Sequence, residues 1–187
     1  MFPLLARPLQ PSGYTWTIAS RISDALNEAE QRFGPRDRNY FYAGHEFVSR
    51  HPGTWYPGNR QHIVIQLGIE CTQDMVQAIY QLAHEVIHLL SPSGASTANN
   101  LEEGLATWFS EDYCRRATGQ TIRAEVPSYQ KASDLVRQVL EQHPDCIRKM
   151  RESEPCISRL SASLIRVHCP SLSEEQAAFL ATRFVRS

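Results

Sequence analysis

The spacing of hydrophobic and polar positions divides the chain into extended segments followed by helices. Apolar residues from position 20 to 33 recur at helical spacing, and Gly34-Pro35 interrupts the run, which predicts an amphipathic helix over 20–33. Aromatic residues crowd positions 39–48 and predict extended chain, whereas proline and glycine in 51–59 predict a loop. Positions 62–67 include three consecutive β-branched residues, which predicts a strand that ends at Gly68.

The broadest apolar stripe runs through positions 72–90 and predicts a helix that is largely buried. Its members recur every three or four residues: Met75, Val76, Ile79, Leu82, Ala83, Val86, Ile87, Leu89 and Leu90. The polar positions that remain on this helix include His84 and His88, which are four residues apart. Residues at this spacing lie one above the other, so the two histidines share a side that the apolar stripe does not occupy.

The remainder of the chain predicts helices. Small residues over 91–100 predict a loop, and a helix is expected over about 101–116. Further helices are expected over 129–142, 146–152 and 173–184, the last opening with a capping box from Ser173 to Gln176. We find no internal repeat and no linker of domain-boundary character. The sequence therefore predicts one α+β domain over 1–187, with the extended elements preceding the buried helix.

One motif on the buried helix indicates metal chemistry. Positions 84–88 read His-Glu-Val-Ile-His, an H-E-x-x-H sequence in the helical context that this motif requires. Two histidines one turn apart can bind one Zn²⁺ through ring nitrogens at about 2.0–2.1 Å. Glu85 would lie beside the metal, where it can accept a proton from zinc-bound water and pass it to a leaving group.

A catalytic zinc takes three protein ligands, and the next helix offers two carboxylates for the third position. Glu102 and Glu103 both stand at its start. With Asn100 as N-cap, Glu103 could instead complete a capping box, and Glu102 could be a solvated carboxylate at a helix N-terminus. Gly104 and Ala106 favour Glu103, because small residues beside it would let this helix approach the metal-bearing helix closely.

This arrangement resembles the gluzincin metallopeptidases, the clan of thermolysin and the aminopeptidase-N-like enzymes. A strand, then H-E-x-x-H, then a helix carrying Glu-Gly-x-Ala matches the clan's pattern, and positions 102–106 read Glu-Glu-Gly-Leu-Ala. The resemblance covers about 63–110 and implies that His84, His88 and Glu103 are the zinc ligands. It also implies a zincin-like fold, with a small N-terminal β-containing lobe, the metal-binding helix and a helical C-terminal half.

The resemblance extends to substrate contacts, with two departures. It implies that the strand 63–67 pairs with an extended peptide and that a tyrosine donates to the oxyanion, for which Tyr129 is the first candidate. The alternative for Tyr129 is packing at a helix start, and the reserves are Tyr113, His143 and His168. Glu102 stands where the aminopeptidases have asparagine, and the separation of His88 from Glu103 is shorter than theirs.

Composition and charge restrict the partners. The chain of 187 residues has 19 basic and 20 acidic residues and a formal charge of −1, so nothing electrostatic favours nucleic acid or an anionic membrane. No apolar run reaches the length of a membrane span, and the N-terminus lacks a Sec-type signal. An odd number of cysteines without a C-x-x-C pair favours a reducing, cytoplasmic setting: Cys71, Cys114, Cys146, Cys156 and Cys169.

Together these features predict a zinc-dependent metallopeptidase with one Zn²⁺ and a peptide or protein substrate. Glu85 is the expected base and Tyr129 the expected oxyanion donor. The alternative is a zincin-fold protein that binds or regulates without peptidase activity, since nothing outside the motif region indicates a substrate.

Overall fold

A computed structural model describes residues 16–58, 61–94 and 98–187. Within these ranges the chain is α+β, as predicted, with one three-stranded sheet and seven α-helices. The strands are β1 Phe41–Val48, β2 Gly53–Trp55 and β3 His62–Gly68. The helices are α1 Ile18–Phe33, α2 Met75–His88, α3 Asn100–Thr118, α4 Pro127–Gln142, α5 Cys146–Ser153, α6 Ala162–His168 and α7 Glu174–Ala181.

The structure differs from the predicted elements at three places. The predicted loop 51–59 contains β2, which pairs with β3 although it is only three residues long. The helix α6 was not predicted, and α7 ends at Ala181 instead of continuing to Phe184. The capping box from Ser173 to Gln176 is confirmed.

The sheet order is β1-β3-β2, so β3 is the central strand. It runs parallel to β1 and antiparallel to β2, which pairs with Val64, Ile65 and Gln66. The expectation that 63–67 pairs with substrate is therefore wrong. The backbone groups of β3 are already paired with β1 on one side and with β2 on the other. Within the described chain, β2 is an edge strand of the sheet.

The helix α2 lies at the centre of the molecule, between α1, α3 and the sheet. Asp74 caps its start by accepting hydrogen bonds from the backbone N–H groups of Val76 and Gln77 at 2.9 and 3.0 Å. Most of its apolar stripe is buried as predicted, with Leu82 and Val86 fully inaccessible to solvent, whereas Met75 is 38% exposed and Val76 is half-buried. Burial on several sides holds the helix, and with it the histidine-bearing face, in one position.

The start of α3 differs from the predicted capping. Asn99, not Asn100, is the N-cap, and its side chain accepts a hydrogen bond from the backbone N–H of Glu102 at 2.9 Å. Asn100 instead donates its side-chain amide to the carbonyl groups of Phe179 and Thr182. Glu103 therefore does not occupy the capping-box position, and its carboxylate remains available for another contact.

Gly104 permits a close helix approach, but to a different helix from the one expected. A Cβ atom at this position would lie 2.6 Å from the carbonyl oxygen of Ala132 in α4. The small residue therefore lets α3 approach α4 closely, while α3 packs on α2 through other residues. Close packing of α4 brings its N-terminal turn, which carries Tyr129, toward the start of α3.

Two further observations bear on the predictions from composition. None of the helices in the described ranges is long and apolar enough to cross a membrane. All five cysteines are free thiols, and only Cys156 among them is not buried.

Candidate metal centre

The histidines of the H-E-x-x-H motif lie side by side on the last turns of α2. The ring centroids of His84 and His88 are 5.3 Å apart, as expected for residues separated by one helical turn. The first turn of α3 faces them and carries Glu102 and Glu103. The centre is thus built where the end of one helix meets the start of the next.

The donor atoms of His84, His88 and Glu103 converge as the ligands of one metal ion would. One ligand atom from each residue lies within 4.8 Å of the other two. His84 Nε2 is 3.2 Å from Glu103 Oε2, and His88 Nε2 is 3.8 Å from Glu103 Oε1. Zinc bonds of about 2.0–2.1 Å at tetrahedral angles put ligand atoms about 3.4 Å apart, so this donor set fits zinc.

Glu102 has a different position, on the far side of His88. Its Oε1 atom is 2.8 Å from His88 Nδ1, and its Oε2 atom accepts a hydrogen bond from the hydroxyl of Ser158. Because Nδ1 donates to this carboxylate, the ring is oriented with Nε2 toward Glu103, and Nε2 is the nitrogen that can bind a metal once its proton is lost. The structure therefore separates the two carboxylates, with Glu103 among the candidate ligands and Glu102 orienting His88.

Replacing Glu102 by glutamine is expected to weaken zinc binding by about ten- to a hundredfold, because the amide no longer fixes the ring and its tautomer as a carboxylate does. Competition titration with a chromogenic zinc chelator measures the change. Glu152→Gln, which changes an exposed carboxylate of α5 outside this cavity, is the matched control. An unchanged zinc affinity in Glu102→Gln would contradict the orienting role.

Glu85 is the buried carboxylate of the motif. Its side chain borders the same cavity as the two histidines, although only 4% of the residue is exposed. Burial raises the pKa of Glu85, and the nearby His88 and His84 oppose that rise only in part. A carboxylate whose pKa lies above its ordinary range is closer to the pKa that suits a general base near neutral pH.

The charges of His88 and Glu103 stabilise each other. Burial alone would lower the pKa of His88, but Glu103 and the hydrogen bond to Glu102 raise it to about 10. Burial would raise the pKa of Glu103, but His88 and His84 lower it overall. Without metal, a proton on His88 supplies positive charge to the carboxylates, and a bound cation would take over that function.

Tyr129 borders the same cavity from the first turn of α4. Its ring contacts that of His84 edge to face at a centroid distance of 5.9 Å. Burial and then Glu103 raise the pKa of Tyr129 to about 12, so its phenol keeps the proton that an oxyanion donor needs. The reserves Tyr113, His143 and His168 do not line the cavity, and Tyr113 donates to Asp24 at 2.6 Å.

The cavity that contains these groups has a volume of about 380 Å³ and continues past Glu85 and Tyr129 into a second one of about 360 Å³. The edge strand β2 contributes Gly53 and Thr54 to its wall. Other wall residues come from a distant segment that no sequence pattern had marked: Arg183, Phe184 and Arg186. The side chains of α2 and α3 at the base of the cleft are the ones that the motif had indicated.

Comparisons with protein-family models, with curated proteins and with solved structures found no match for this chain. The function proposed below therefore rests on the residues of the site and their geometry. The resemblance to the gluzincin metallopeptidases remains one of sequence motifs.

Proposed function

We propose that the protein is a zinc-dependent metallopeptidase of gluzincin type with a zincin-like fold. The observation that carries the proposal is the convergence of His84 Nε2, His88 Nε2 and the Glu103 carboxylate at one point of a cleft. Glu85 and Tyr129 border the same cleft. Two histidines and one glutamate are a ligand set that catalytic zinc sites use.

The roles of the residues follow from where they lie. Zinc held by these ligands would lower the pKa of a coordinated water to about 7 and polarise the scissile carbonyl. Glu85 accepts a proton from the attacking water at its carboxylate and then delivers it to the leaving amine. The hydroxyl of Tyr129 donates a hydrogen bond to the developing oxyanion.

The edge strand β2 is the proposed docking strand for the peptide. Its residues Gly53 and Thr54 border the cleft, and β3 occupies only one of its two sides within the described chain. An extended peptide adds to such an edge through backbone hydrogen bonds. We also propose a cytoplasmic location, because all five cysteines are free thiols and reducing compartments keep thiols unpaired.

Hydrolysis of a mixed peptide library tests the proposal, with product N-termini identified by mass spectrometry. We expect cleavage that 1,10-phenanthroline abolishes and that added zinc restores. Cleavage that persists in the chelator would contradict a zinc peptidase. Stoichiometric zinc without any cleavage would favour the alternative, a zincin-fold binding or regulatory protein.

Zinc affinity is expected to increase with pH. The pKa of His88 in the metal-free protein is about 10, so at neutral pH zinc must displace a proton from this ring. Each bound ion then releases that proton, and affinity rises by up to about tenfold per pH unit between about pH 6 and pH 8. Isothermal titration calorimetry in buffers of different ionisation enthalpy measures the zinc affinity and the number of protons released. An affinity that does not change with pH would contradict the displacement of a proton from His88.

A further inference from the structure

The segment 182–187 forms one wall of the metal cleft, and backbone contacts fix it at both ends. The N–H of Asn100 donates to the carbonyl of Thr182 at 2.9 Å, and the N–H of Phe184 donates to that of Ala98 at 3.0 Å. At the other end, the N–H of Ser187 donates to the hydroxyl of Ser128 at 3.1 Å. The segment therefore spans from the start of α3 to the start of α4.

A side-chain contact joins this wall to the proposed oxyanion donor. The ring of Phe184 packs on that of Tyr129 with a centroid distance of 4.6 Å. Arg183 and Arg186, on either side of Phe184, both border the cavity that contains the proposed zinc ligands. Arg186 also borders the adjoining cavity beyond Glu85. Two exposed arginines thus border the cleft in which, under the proposed function, the residues beside the scissile bond would lie.

Neither arginine forms an ion pair with a residue that the structure describes. Within the described ranges, no carboxylate lies within 4.0 Å of the guanidinium of Arg183 or Arg186. The carboxylates of Glu102 and Glu103 on the cavity wall contact the histidines instead. By contrast, Arg123, which borders the adjoining cavity, forms an ion pair with Glu111 at 2.8 Å.

We propose that Arg183 and Arg186 select peptide substrates that carry an acidic side chain near the scissile bond. The inference rests on the proposed peptidase function and specifies its substrate class. A guanidinium group binds a carboxylate in a fixed, bidentate geometry, and the anchored backbone of the segment limits the ordering that binding requires. A peptide with glutamine in place of the acidic glutamate has nearly the same size but lacks the charge, so comparing the two peptides isolates the effect of the charge.

Fluorescence anisotropy with zinc-loaded Glu85→Gln protein separates binding from turnover. The probes are two labelled peptide pools, Xaa-Xaa-Glu-Xaa-Xaa and Xaa-Xaa-Gln-Xaa-Xaa, in which Xaa is any uncharged residue. We expect the glutamate pool to bind about five- to tenfold more tightly, and high salt to reduce this preference. The double change Arg183→Gln/Arg186→Gln should abolish the preference, and Arg183→Lys/Arg186→Lys should keep part of it.

The matched control is Arg148→Gln/Arg166→Gln, which removes the same two charges from α5 and α6, outside the cavity. Its preference should equal that of the parent protein, and circular dichroism should show all variants folded. Equal binding of the two pools, or a preference that survives Arg183→Gln/Arg186→Gln, would overturn the inference. Wild-type hydrolysis of both pools at equal rates would overturn it while leaving the proposed peptidase function intact. A glutamate preference without hydrolysis of either pool would support acidic selection and contradict the peptidase.

Discussion

Replacing Glu85 by glutamine is expected to reduce peptide hydrolysis by about a hundred- to ten-thousandfold without loss of zinc. Glutamine has the shape of glutamate but cannot accept a proton at its amide oxygen at neutral pH. Glu85 is buried beside the histidines and is not one of the three converging ligand residues. The change therefore removes the proposed base and leaves the proposed ligands His84, His88 and Glu103.

The measurement pairs kcat/KM with the zinc content of the same samples. Glu125→Gln is the matched control, because Glu125 borders the adjoining cavity but is exposed and lies away from the metal position. Its activity should remain within about threefold of the wild type. Undiminished activity in Glu85→Gln would refute the assigned base, and loss of zinc would mean that Glu85 helps to hold the metal.

Replacing Arg151 by methionine is expected to lower the free energy of unfolding by about 3–5 kcal/mol. The Arg151 side chain is buried and connects the end of α1 to the chain that follows α2. It donates at 2.8–3.1 Å to the carbonyl groups of Phe33, Gly34, Pro35, Leu90 and Pro155. Methionine fills similar volume but donates nothing, so buried carbonyl groups lose their partner.

Chemical denaturation and thermal melting of the metal-free proteins measure this loss. A change of this size should lower the melting temperature by roughly 10 °C. Arg148→Met on the same helix is the control, because Arg148 is only half-buried and forms no ion pair within the described residues. Its effect should stay within about 0.5 kcal/mol. A melting temperature of Arg151→Met equal to that of the control would contradict the stabilising role of the Arg151 hydrogen bonds.

The parts of the fold that sequence analysis predicted are those that local periodicity determines. The apolar stripe of α2 and the β-branched run of β3 appear within a few residues of the expected limits. Because an H-E-x-x-H motif on a helix fixes its own spacing, the shared face of His84 and His88 also followed from the sequence. The position of Glu103 required the family pattern as well, since two adjacent carboxylates have the same local signal.

The parts that escaped prediction depend on contacts between residues far apart in the sequence. Ser158 meets Glu102 across 56 positions, and Arg151 meets Phe33 across 118. No local pattern marks such a pair, because each side chain alone resembles an ordinary polar surface residue. The strand β2 was missed for the same reason, since its three residues become a strand only by pairing with β3.

The zinc content of purified protein, measured by elemental analysis after dialysis, tests the central claim most directly. The samples are the wild type, His88→Ala, Glu103→Ala and the distant control His143→Ala. The geometry predicts about one zinc ion per chain in the wild type and the control, and loss of zinc in the other two variants. Zinc retained by Glu103→Ala but lost by His88→Ala would contradict Glu103 as the third ligand. A wild type that binds no zinc even after reconstitution would contradict the metal centre itself.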